Sequence, residues 1–247
     1  MSERVVGVIP VRYASQRFPG KPLAEIDGKT LVQWVFEGAR RASSLDELFV
    51  ATDDERIREA VEGFGAPCVL TGDAPRNGTE RVAEAMQGVQ ADLVVNVQGD
   101  EVMITGEAVD RSVHALGGDR EAALATLAAP LPEERRDDPN TVKVAIDEQS
   151  RALGFSRSPA SLPGEAAGLL AHVGVYVYRR SLLDAYTGLE PTTNERTEQL
   201  EQLRVLEHGH AVAVATIETE WLSVDTPADL DAVARLLAGT GRAGRLR

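Results

Sequence analysis

The residues that could do chemistry first crowd together in "RYASQRFPGKPL", Arg12 to Leu23, directly behind the apolar run "VVGVIP". Arg12, Arg17 and Lys21 share this one loop, although the 247-residue chain carries a net charge of −13. A solvated turn needs no such concentration of cations, whereas a phosphate site does. Ser15 and the loop amides can donate to phosphate oxygens, and Arg12 and Arg17 offer two-pronged guanidinium forks. Lys21, between Gly20 and Pro22, offers a compact charge to a developing oxyanion or a leaving pyrophosphate. The chain otherwise keeps only Lys29 and Lys143 among many arginines, so Lys21 reads as a position that requires an ammonium.

Two acidic stretches complement the loop. "NVQGDE", Asn96 to Glu101, ends a strongly apolar run and leaves Asp100 at its carboxyl end. In "SVDTPADL", Thr226 reads as a helix cap, Pro227 as the first helical residue and Asp229 as the partner in a capping box, which leaves Asp225 over at the end of a predicted strand. Two aspartates on two strand ends suit Mg²⁺, which takes one or two carboxylates and completes its shell with phosphate oxygens and water. "RNGTER", Arg76 to Arg81, sets small residues and an arginine at a helix start. That suits recognition of a base or ribose, although read by itself it is first an N-cap on a solvated helix. "GKT" at Gly28 to Thr30 lacks the glycine five residues upstream that a P-loop needs, since position 23 is Leu. Asp27-Gly28 therefore reads as a turn and Thr30 as a helix cap, and no G-x-G-x-x-G follows the first strand.

These groups need elements to hold them. Apolar runs at Val5–Pro10, "ELFVAT", "PCVLT" and "ADLVVNVQGDE" alternate with helical patterns in "TLVQWVFEGARRA", "DERIREAVEGFG" and "GTERVAEAMQGV". That order predicts a mostly parallel sheet with helices on both faces, an α/β fold with ligands at the strand ends. Further on, "AALATLAAPL" reads as a strand, "NTVKVAIDEQSRALGFSRS" as a hairpin and "LLAHVGVYVYRRSLL" as a strand entering a helix. "ERTEQLEQLRVLEHG" reads as one charged helix, "VAVATIE" and "WLSVDT" as the segments after it, and "PADLDAVARLLAG" as the last helix. The expectation is a single domain over residues 1–247, with an annex at about 147–207 for a second substrate or a partner subunit.

Composition narrows the class. The acidic balance argues against general nucleic-acid binding. No apolar run is long enough to cross a membrane, no signal-peptide pattern precedes the first strand, and Cys68 alone excludes an internal disulfide. A cytoplasmic enzyme is expected.

Taken in order, "IPVRYASQRFPGKPL", "VATDDERI", "NGTERVAE", "VNVQGDEVMI", "PNTVKVAID", "HVGVYVYRR", "EQLEQLRVLEHG" and "SVDTPADL" resemble the CMP-Kdo synthetases, the 3-deoxy-manno-octulosonate (Kdo) cytidylyltransferases. The resemblance implies a Rossmann-like nucleotidyltransferase, usually a homodimer, that moves CMP from CTP to an acidic 2-keto sugar with Mg²⁺ and releases pyrophosphate. It implies that Arg12, Ser15, Arg17 and Lys21 hold the triphosphate, and that Asn77, Gly78, Thr79 and Arg81 lie near the cytidine. Asp100 and Asp225 would hold the metal, while Gln98, His172, Tyr176, Glu201 and Gln202 would line the acceptor pocket. His172 alone would read as a core histidine. Departures from the pattern gather on the acceptor side: Val102 follows "QGDE", Val177 stands within "YVY", and the stretch after "SRS" is short and lacks an aromatic. They motivate a second acceptor, a small anion such as phosphonoformate. A third reading, a nucleotide-binding regulator without turnover, has no use for the lysine and both aspartates together.

Overall fold

The computed structural model describes residues 3–14, 18–163 and 168–239. The chain opens with β1 (Val5–Val11), a two-strand ribbon of β2 (Glu25–Ile26) and β3 (Lys29–Thr30), and α1 (Leu31–Ala39). Then come β4 (Glu47–Thr52), α2 (Glu55–Gly63), β5 (Cys68–Leu70), α3 (Gly78–Ala85), β6 (Leu93–Val97) and α4 (Gly106–Gly118). The later half holds β7 (Ala122–Pro130), β8 (Lys143–Ile146), β9 (Ala152–Ser156), β10 (Leu170–Arg179) and α5 (Arg180–Tyr186). It closes with α6 (Thr193–Glu198), α7 (Gln202–Glu207), β11 (Ala211–Thr216) and α8 (Pro227–Gly239).

The main sheet runs β11-β7-β10-β6-β1-β4-β5, with the β8–β9 hairpin joined to β10. β1 pairs in parallel with β4 and β6, β4 with β5, and β7 with β11, while β10 is antiparallel to both its main-sheet neighbours. The mostly parallel α/β sheet expected from the alternating runs is therefore present. β1 is buried at every position, as a strand covered on both faces must be. Its residues alternate between two cores. Val5, Ile9 and Val11 face α1, α2, α4 and α8, and Val6 and Val8 face α3, α5 and α7. The turn at Asp27-Gly28 (φ 50° and 73°) and the cap of α1, where Thr30 accepts from the Gln33 amide, are as expected.

Two elements differ from expectation. "WLSVDT" forms no strand. Its polar groups bond to scattered partners: the Trp221 carbonyl accepts from Arg135, the Leu222 amide reaches Met103 Sδ, and the Val224 amide donates to the Asp100 carbonyl. The charged helix expected over "ERTEQLEQLRVLEHG" is broken at Gln199, whose φ of 55° is left-handed. The break lets Glu195 of α6 close on the buried Arg204 of α7 at 2.8 and 2.5 Å, an ion pair that an unbroken helix could not form at that spacing. Within the stretch at about 147–207, β10 threads between β6 and β7, so this part of the chain builds the main sheet as well as its border.

The layer over β1 is fitted closely at one point. A Cβ on Gly38 of α1 would lie 2.3 Å from the Ile104 carbonyl oxygen, and one on Gly106 would lie 2.4 Å from the Arg41 carbonyl carbon. An alanine inside a helix normally gains about 1 kcal/mol over glycine. Here the contact is with backbone and must dominate. Gly38→Ala is expected to destabilise the fold by about 1–3 kcal/mol in urea titrations, and an unchanged or higher midpoint would refute the close approach.

Candidate active site

Lys21 owes its position to the turn before it. Gly20 takes a left-handed φ of 73°, its amide bonds to the Tyr13 carbonyl, and Lys21 then opens a short 3-10 helix with Pro22 behind it. The Tyr13 ring closes this loop: Gly20 lies against it with no room to spare, and the Arg56 guanidinium stacks 3.4 Å over its centre. So held, the Lys21 ammonium meets Asp100 Oδ2 at 2.9 Å, the Val224 carbonyl at 2.9 Å and Asp225 Oδ1 at 3.4 Å. Burial works to lower the Lys21 pKa, but the attraction of Asp100 and Asp225 outweighs it and the net shift is upward. The expected triad of a lysine and two aspartates is therefore brought together, although Asp225 stands on an extended segment and not at a strand end.

Asp225 is oriented from its helix side as well. Asp229 accepts from the Asp225 and Thr226 amides at 3.1 and 2.8 Å, while Thr226 Oγ1 accepts from the Asp229 amide, which is the capping box read from the sequence. Both aspartates border one open cavity of about 1190 Å³ at the carboxyl ends of β1 and β6. Arg12 is exposed on its rim and makes no ion pair with any described residue. Ser15 and Arg17 lie outside the described residues.

The expected nucleotide side is only partly free for a ligand. Asn77 caps α3 by accepting from the Glu80 amide at 2.8 Å, and Gly78 is pressed against Gln98. Thr79 is wholly buried, bonded to the Tyr178 hydroxyl at 2.8 Å, and does not line the cavity. Arg81 is buried too. Its guanidinium pairs with Asp53 at 2.6 Å and donates to the Thr71 hydroxyl, because a cation at that depth requires a counter-charge. The start of α3 is thus packed inward and not solvated.

The acceptor group assembles as a shell. Gln98 donates to Glu201 Oε1 at 3.1 Å, and the Tyr176 hydroxyl donates to Gln202 Oε1 at 3.2 Å. Gln202 Nε2 is buried with no hydrogen-bond partner among the described residues. His172 shares a 2.9 Å bond with Thr126 Oγ1, and burial pulls its pKa down to about 3. Glu201 is pushed up to about 7 by burial, against the Thr79 amide that favours its ionised form. Arg135 and Arg157 also line the cavity, and Arg157 Nε and Nη1 donate to the Glu198 and Pro139 carbonyls. Neither arginine was singled out from the sequence, where each is one of many. Glu101 was also passed over, as the neighbour of Asp100. It is buried, accepts from Trp221, Ser223 and Gly174, and is pushed up to about 7 by burial and then by the Asp100 charge.

The donor set at the aspartate pair fits a hard divalent cation. Two carboxylates already converge on one positive centre, and among the described residues no third acid, histidine or cysteine completes a protein-only metal site. An ion held there would draw its other ligands from phosphate and water, as Mg²⁺ does.

The pattern of the cytidylyltransferase family matches residues 6–217. A 3-deoxy-manno-octulosonate cytidylyltransferase of Syntrophobacter fumaroxidans is 46% identical over 243 residues, 95% of this chain and 97% of its own. One named as mitochondrial, from Arabidopsis thaliana, is 42% identical over 95% of this chain and 83% of its own. Among solved structures, a CMP:2-keto-3-deoxy-manno-octonic acid synthetase complexed with CTP superposes with a TM-score of 0.88 at 39% identity, over 96% of this chain and 99% of that one. A 4-diphosphocytidyl-2C-methyl-D-erythritol synthase shares the fold alone, at 16% identity and a TM-score of 0.65.

His172, partly buried at the cavity wall, makes acid stability testable. Its folded pKa lies below the unfolded value of about 6.5, so the unfolded chain binds the proton first. Stability from this residue is full above about pH 6.5 and drains as the pH falls toward 3. Between about pH 7.5 and pH 5 wild type should lose about 2 kcal/mol more than His172→Gln in urea titrations. Parallel losses in the two proteins would refute a neutral, partly buried imidazole.

Proposed function

Because the chain belongs to the 3-deoxy-manno-octulosonate cytidylyltransferase family, we propose that it transfers CMP from CTP to the hydroxyl of Kdo or a close 2-keto sugar acid. The observation that carries this reading is the convergence of Asp100 and Asp225 on Lys21 at the strand-end cavity. A binding module has no need of that arrangement. The acceptor oxygen attacks the α-phosphorus of CTP, and the bond from that phosphorus to the oxygen of the β-phosphate breaks. Pyrophosphate leaves with the electron pair, and the hydroxyl proton passes to solvent. Phosphoryl chemistry of this kind asks the protein for positioning and charge more than for covalent work.

Arg12, with Ser15 and Arg17, holds the triphosphate, and Lys21 turns its charge toward the departing pyrophosphate. Asn77, Gly78 and Arg81 frame the cytidine from the cavity wall, and the neighbouring Thr79 supports them from behind it. Gln98, His172, Tyr176, Glu201 and Gln202 shape the acceptor side, and the unpartnered Gln202 Nε2 offers a donor there. Asp100 and Asp225 would hold Mg²⁺, which when bound supplies Lewis-acid charge on the phosphates. A cytoplasmic homodimer belongs to the same proposal, supported by the family resemblance and, for the compartment, by the lone Cys68.

The phosphonoformate acceptor is not favoured. Relatives at 40 to 46% identity, matched over at least 92% of this chain, carry the Kdo name. Pyrophosphate release from CTP and Mg²⁺, with Kdo and phosphonoformate offered in parallel, tests the reading. Turnover with Kdo is expected, and turnover with phosphonoformate alone would overturn it. Lys21→Ala should lower kcat by about 10²–10³-fold, the usual cost of one charge-stabilising donor. A loss confined to KM would assign Lys21 to ground-state binding instead.

A further inference from the structure

Glu101 follows Asp100 in the chain and is only 3% exposed. Its carboxylate is taken up by the protein on every side. Trp221 Nε1 donates to Oε2 at 2.5 Å, the Ser223 hydroxyl lies 2.9 and 3.0 Å from the two oxygens, and the Gly174 amide donates to Oε1 at 2.7 Å. These donors come from two other stretches, the β10 strand and the extended segment that ends at Asp225. At Gly174 the pairing of β10 with β7 is irregular, and a Cβ there would lie 2.7 Å from Glu101 Oε1. Glycine at 174 is therefore a condition for the contact.

The segment before Asp225 needs such an anchor. It leaves β11 at the edge of the sheet and must return to the end of β6, which lies beyond β7 and β10. It has no strand ladder to guide it, and its bonds to the 100–103 turn are the Val224 amide to the Asp100 carbonyl, the Leu222 amide to Met103 Sδ and the side-chain bonds to Glu101. With its oxygens engaged by inward-pointing donors, Glu101 has little acceptor capacity left for a substrate or an ion. We propose that Glu101 is a positioning residue that pins the 221–224 segment to the end of β6 and so sets Asp225 opposite Asp100 for a shared cation. The proposal rests on the reading of Asp100 and Asp225 as the Mg²⁺ pair.

Glu101→Gln keeps the size of the side chain but replaces one acceptor oxygen with a donor, which then faces Trp221, Ser223 or Gly174. Two readouts are needed, neither of which requires turnover. The first is amide hydrogen exchange, expected to quicken at least about tenfold in residues 221–225 of Glu101→Gln while the strands β1, β4 and β6 keep their protection. The second is calorimetric CTP binding with and without Mg²⁺. CTP affinity without the ion should stay within about twofold of wild type, and the enhancement by Mg²⁺ should fall at least about tenfold. Asp225→Asn should abolish that enhancement in wild type and add little in the Glu101→Gln background, the non-additivity expected of residues acting through one another.

Unchanged exchange in residues 221–225, or a full and additive loss in the double variant, would overturn the role of Glu101. A wild-type protein whose CTP binding ignores Mg²⁺ would overturn the aspartate-pair reading instead, and the exchange experiment would still decide whether Glu101 pins the segment. Should Glu101→Gln fail to fold, Ser223→Ala removes one donor and should show both effects in smaller measure. Wild-type exchange and Mg²⁺ response in Ser223→Ala would then count against the proposal.

Discussion

Two carboxylates that repel each other meet across a single positive charge. Asp100 closes β6, Asp225 precedes the last helix, and the Lys21 ammonium lies between them. The surrounding architecture serves this meeting. The parallel pairing of β1 with β6 sets the loop that carries Lys21 beside the turn that carries Asp100. The left-handed Gly20 turns that loop back on Tyr13, and the 221–224 segment delivers the second carboxylate from the far side of the sheet. Without the ammonium the pair would be a cost, and with it two carboxylates are held side by side at the strand-end cavity of a cytidylyltransferase fold.

Deeper charges follow the same rule on the other face. Arg81 and Arg204 are almost fully buried, the first paired with the exposed Asp53 and the second with the buried Glu195, and each guanidinium donates at least twice to its carboxylate or neighbours. Breaking either would leave a charge without water or partner, a larger loss than the pair itself contributes. The first ties α3 to the segment after β4 and the second ties α6 to α7 along the cavity, where Glu201 reaches the Thr79 amide and Gln98. Rigidity behind the wall lets the wall itself be polar and open.

Much of this was legible in the chain. Apolar runs and caps located the sheet and helices, because a strand buried on both faces leaves an unmistakable pattern, as in Val5–Val11 and Leu93–Val97. Lys21, Asp100 and Asp225, which the structure brings together, stood out because charge beside Gly and Pro after an apolar run has few structural uses, although the run before Asp225 forms no strand. Other features were hidden for physical reasons. "WLSVDT" has strand-like residues, yet its bonds go to side chains and isolated carbonyls that no local pattern discloses. The break at Gln199 goes with the Glu195–Arg204 ion pair between α6 and α7, which helical spacing does not disclose. Glu101 and Arg81 look like ordinary surface charges until burial is known.

The late position of Asp225 has a consequence for synthesis. Every strand of the main sheet lies before residue 217, and only the returning segment and α8 are described after it. A chain emerging from its N-terminus can pair every strand of the main sheet and form the loop of Lys21 while still lacking both the second carboxylate and the α8 side of one core of β1. The meeting of Lys21 with both aspartates is thus made after the sheet. A product ending before residue 221 would leave Lys21 facing Asp100 without Asp225 and would uncover the side of the core that α8 closes.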